Sequence, residues 1–67
     1  MIPIDLISVG DKFRNPNGGY AIFVVIDVNK KEKMIKVQTY SITGRIIGEP
    51  FWKKNTAPMF SESWRLL

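Results

Sequence analysis

Apolar and polar residues alternate along this chain in short runs, broken by glycine, proline and asparagine at regular spacing. Such a pattern predicts short strands in a small sandwich or barrel. Four breaks organise it. Val9-Gly10-Asp11 precedes a first short strand, Lys12 to Asn15. Asn15-Pro16-Asn17-Gly18-Gly19 is a dense turn, where proline presets a negative φ and asparagine and glycine tolerate a positive one. Asn29-Lys30-Lys31-Glu32 is a polar break between two β-rich runs, and Thr43-Gly44 is the last clear turn before Arg45.

The central runs allow a register to be written. With Asn29 to Glu32 as a four-residue hairpin loop, Val28 faces Lys33, Ile26 faces Ile35, Val24 faces Val37 and Ile22 faces Thr39. One sheet face is then uniformly apolar or β-branched, as a core face should be. A slip of one residue would set these side chains against Lys36 and Gln38. Extending the chain through Thr43-Gly44 as a two-residue loop sets Ile35 against Trp52 and Ser41 against Ile46, which brings Trp52 onto the core face. Thr-Gly is not a preferred two-residue hairpin pair. Gly48 with Pro50 signals a bulge or an edge within the last long strand.

The chain ends are read more coarsely. Pro3-Ile4-Asp5-Leu6-Ile7 fits a strand or a single helical turn. Ala57 to Phe60 and Trp64 to Leu67 are short apolar pieces, with a turn or one 3-10 turn at Ser61-Glu62-Ser63 between them, and the last piece is expected to pair back onto the sheet. About five strands in so short a meander must curl to bury their inner face. The predicted fold is therefore all-β: one domain over residues 1–67, a small five-stranded antiparallel barrel, SH3-like, with one short helical or 3-10 turn. Val9-Gly10-Asp11-Lys12-Phe13, followed by strand–hairpin–strand around Tyr20 to Tyr40, resembles the entry of SH3-like and KOW-type small barrels. That resemblance covers about half the chain and implies a barrel; it carries over no functional residue.

Composition narrows the picture further. A chain of 67 residues has room for one thin core, which on its own gives only about 3–5 kcal/mol net. Cysteine and histidine are both absent, so neither disulfides nor an ordinary zinc site can brace it. A hydrophobic content of 45% still supports a real core and argues against disorder. Without histidine or cysteine the usual catalytic triads and dyads cannot be assembled. The carboxylates Asp5, Asp11, Asp27, Glu32, Glu49 and Glu62 are scattered singly, and Gly18-Gly19 leads into a strand, unlike a phosphate-binding loop. The expectation is a non-enzyme with no cofactor and no metal. No apolar run approaches the ~20 residues of a membrane span, and the start lacks a basic-then-apolar leader. A cytoplasmic protein without a membrane partner is expected. So short a chain opening at Met1 fits a phage or mobile-element product.

The register that defines a core also defines an opposite face. Phe23, Val25, Lys36, Gln38 and Tyr40 would point outward, joined by Ile47, Glu49 and Phe51. A solvated antiparallel face normally reads polar; this one reads aromatic and apolar. Three explanations are open. The chain's own ends, Ile4–Ile7 or Trp64–Leu67, could cover it. It could dock a protein partner or a second copy. It could stack single-stranded nucleic acid on Phe23, Tyr40 or Phe51 while lysines hold the backbone. The net charge of +4 favours polyanions, anionic membranes or acidic proteins as partners. Lys30, Lys31 and Lys33 cluster at one hairpin tip, and Lys53 and Lys54 are expected opposite Met34 and Lys33 at the same end; Lys36 lies on the outer face. The functional expectation is a small binding module for nucleic acid through this Lys-rich end and aromatic face. The alternative is a protein-interaction or oligomeric assembly module, for example a small phage or mobile-element regulator, with a host or other partner protein.

Overall fold

The computed structural model describes residues 1–15 and 17–66, so Pro16 and Leu67 lie outside the described residues. A 3-10 turn at Ile4–Leu6 leads to β1 (Lys12–Arg14), β2 (Ile22–Asn29), β3 (Met34–Tyr40) and β4 (Ile46–Lys54). A second 3-10 turn, Glu62–Trp64, runs directly into β5 (Arg65–Leu66). The strands form one antiparallel sheet in the order β4-β3-β2-β1-β5. The fold is all-β and five-stranded, as the alternation predicts. It is not closed into a barrel: β4 and β5 are the two edges of an open sheet.

The central hairpin turns one residue later than the sequence suggests. Asn29 pairs with Met34 and ends β2, leaving Lys30 to Lys33 as the loop. The reason is local. The Asn29 side-chain oxygen accepts the Glu32 N–H at 3.0 Å, fixing Asn29 at the head of the turn. Lys33 closes the turn in the left-handed region, at φ 55°. Asp27 therefore faces Lys36 and Val28 faces Ile35. A bulge at Ile26 then shifts the ladder, and Val25 faces Val37, Val24 faces Gln38 and Phe23 faces Thr39. This corrects the expected pairing of Ile26 with Ile35 and Val24 with Val37. It leaves Val28, Ile35 and Val37 inward but exchanges the two faces of β2 from Ile22 to Val25.

The second hairpin differs for a similar reason. Ser41 N–H donates to Arg45 C=O at 2.8 Å around a three-residue loop, Ile42 to Gly44, whose last residue takes φ 88°. A three-residue loop with glycine in the left-handed position is a favoured hairpin connection, and it displaces the expected two-residue loop. The break foreseen at Gly48 and Pro50 is present: the β3–β4 ladder slips between Val37 and Thr39. Gln38, opposite that slip, is buried, and its amide donates to the carbonyls of Gly48 at 3.2 Å and Ile47 at 3.4 Å. Beyond the bulge Phe51 faces Val37 and Trp52 faces Lys36. Trp52 is thus on the outer face and 41% exposed, against the expectation that it enters the core.

The core lies on the inner face and is completed by segments outside the strands. Phe13, Val25, Ile35 and Val37 come from β1, β2 and β3; Ile2, Ile7, Met59 and Phe60 come from the flanks. Phe13 and Phe60 meet edge to face, with ring centroids 5.3 Å apart. A guanidinium latch ties the chain ends together. Arg65 donates to the Leu6 carbonyl at 2.9 Å and to the Asp11 carboxylate at 2.7 Å. The same carboxylate accepts the Ser8 N–H at 2.8 Å, shaping the turn that feeds β1.

Candidate functional site

Turn chemistry gathers the lysines. Lys30, Lys31 and Lys33 sit in the β2–β3 turn because it is held by Asn29 and needs only exposed polar side chains elsewhere. The end of β4 is fastened beside it. Lys54 pairs with Met34, Lys53 pairs with Ile35, and Asn55 N–H donates to the Lys33 carbonyl at 3.0 Å. Five lysines from two parts of the chain therefore share one end of the sheet, although Lys54, and not Lys53 as expected, faces Met34. Glu32 shares the turn, and Asp5 lies 3.6 Å from the Lys30 ammonium. Both members of that pair are well exposed, so the contact contributes little.

The aromatic part of the expected site is rearranged. Phe23 and Phe51 do not point outward with Tyr40. They pack against the core from the inner face, ring to ring at 6.1 Å and nearly perpendicular. The change of face comes from the bulge at Ile26 for Phe23 and from the three-residue Ile42–Gly44 loop for Phe51. Tyr40 and Lys36 do lie on the outer face, in line with Ile22 and with Asp27 and Trp52 respectively. Phe23, Phe51 and Lys53 still come together. They line an open depression of about 400 Å³ with Asn15, Asn17 and the 57–59 segment.

Sequence reasoning missed Trp52. It lies on the outer side of β4 with the Lys36 ammonium 5.8 Å from its ring. Phe51, its neighbour, faces the other way and carries the Lys53 ammonium at 6.0 Å. Each side of the edge strand β4 thus presents a ring beside a lysine, at the distance where a cation is drawn to an aromatic face. Adjacent aromatics on one strand must point to opposite faces, so the Phe51-Trp52 pair itself signals that one ring faces out.

Among the described residues, no group of three or more acidic side chains is placed to hold a metal ion. No helix there is long and apolar enough to cross a membrane. No family model, curated protein or solved structure matches the chain.

Proposed function

We propose that this chain is a non-catalytic module that binds single-stranded nucleic acid along β4 and the lysine-rich end. One observation supports it most strongly: lysines from the β2–β3 turn and from β4 gather at one end, with a part-exposed ring beside a lysine on each side of β4. Lysines grouped in this way release counterions when they meet phosphates, and rings accept bases of any sequence. The reading keeps Lys30, Lys31, Lys33, Lys36, Lys53 and Lys54. It makes Trp52 the main stacking surface, with Phe51 secondary. Phe23 serves the core and Tyr40 lies apart from the track.

Fluorescence anisotropy of a labelled oligothymidylate tests this directly. With roughly four to six phosphates engaged, affinity falls about a hundredfold between about 50 and 200 mM salt. Trp52→Ala weakens binding by about 1–3 kcal/mol, and Lys54→Glu flattens the salt dependence. Binding that ignored salt, or that survived both substitutions unchanged, would overturn the reading.

A further inference from the structure

The outer face carries two adjoining depressions at the end of the sheet away from the lysines. One, of about 380 Å³, is walled by Lys12, Ile22, Val24, Tyr40 and Ile42. The other, of about 330 Å³, is walled by Arg14, Tyr20, Ile22, Ile42 and Leu66. Ile22 and Ile42 belong to both, so the two are successive seats of one groove. The floor follows from the register: Arg14, Ile22 and Tyr40 share one rung, and Leu66, Lys12 and Val24 share the next. Over it stand Tyr20, 80% exposed, and Ile42, 64% exposed. Large apolar side chains held open around a groove are what an interaction surface shows.

Charge says what fits. Each seat has one cation on its wall, Lys12 or Arg14, and among the described residues no carboxylate lines either seat. Neither cation forms an ion pair among the described residues. We propose that this groove docks an extended segment of a partner protein, with two apolar side chains spaced i and i+2 and acidic residues flanking them. Side chains two apart on an extended chain point the same way, about 7 Å from each other, which suits two adjoining seats. The flanking carboxylates meet Lys12 and Arg14, and opposite charge across an interface sets orientation and partner choice. A second copy is a poor occupant. A twofold contact would lay the groove on itself and set its two cations against their own equivalents. The surface is separate from β4, so the proposal does not depend on nucleic-acid binding.

The test is an amide NMR titration of the intact chain with the blocked pentapeptide acetyl-Glu-Leu-Ser-Leu-Glu-amide at millimolar concentration. Shifts are expected at residues 12–14, 20–24 and 40–44. They vanish when both leucines of the peptide become serine, and affinity drops at least about tenfold when both glutamates become lysine. Ile42→Asp, in an exposed turn, weakens binding at least about tenfold while leaving the rest of the spectrum native. Arg14→Glu gives an independent variant, which recovers binding to the lysine peptide. The proposal is overturned by four results: no shifts; shifts confined to residues 30–33 and β4; groove shifts that grow with protein concentration without peptide; or an oligothymidylate that takes the groove while the peptide does not.

Discussion

Val24 and Val25 are neighbours in β2 with the same side chain, and they show how the two faces of the sheet differ. Val25 is buried beside Val37 within a core that includes Phe13 and Phe60, while Val24 lines an open groove with Ile22 and Tyr40. From Ile22 to Ile26 the strand is apolar on both sides. What separates them is cover: Ile2, Ile7, Met59 and Phe60 lie over one side, and among the described residues no comparable buried cluster lies over the other. A run of apolar residues therefore announces a strand without announcing which side of it is the interior. The interior is decided by distant parts of the chain.

Removing the cover gives the largest effect. Phe60→Ala costs about 3–5 kcal/mol, comparable with the entire ~3–5 kcal/mol available to so small a core. The variant should be unfolded at room temperature, with the dispersed amide spectrum lost. The paired valines sharpen the contrast at lower cost. Val25→Ala leaves a cavity and costs about 2 kcal/mol, whereas Val24→Ala removes part-exposed atoms and costs well under that. Urea melts of the two variants decide between the faces, and equal losses would contradict the register. The smallest effect concerns the turn that fixes that register. Lys33 holds a left-handed backbone at φ 55°, so Lys33→Gly should stabilise by about 1 kcal/mol, raising the melting midpoint by a few degrees.

What was legible in the sequence was local. Glycine, asparagine and lysine mark the turns because exposed, positive-φ or capping positions require those side chains, and this is also why the lysine-rich end could be foreseen. The faces were not legible. Ala21 to Ile26 is apolar at every position, so a period of two has no contrast to work on. The phase then hung on one bulge and one loop length. The bulge at Ile26 turned Phe23 and Val25 inward, and Gly44 closed a loop of three instead of two. Each one-residue difference reverses a face, and the longer loop is how Phe51 and Trp52 exchanged places. The role of Gln38 had a trace in the sequence: a lone amide between Val37 and Thr39, in the strand that pairs with the Gly48–Pro50 break. Met59 and Phe60 were legible only as part of a short apolar piece, because contacts across more than forty residues, such as Phe13 with Phe60, leave no periodic mark.

The latch at Arg65 has a consequence for how the chain reaches this structure. Its partners, Leu6 and Asp11, lie 59 and 54 positions earlier, and Phe60 closes on Phe13 in the same region. The opening segment therefore has little to hold it until the closing one arrives. Long-range closure of this kind slows folding relative to local pairing, and a central hairpin formed early would wait with one side bare. Severing the backbone anywhere between Lys54 and Met59 would strand both halves at once, since neither retains a covered interior. The protein is built to be wholly assembled or not assembled at all.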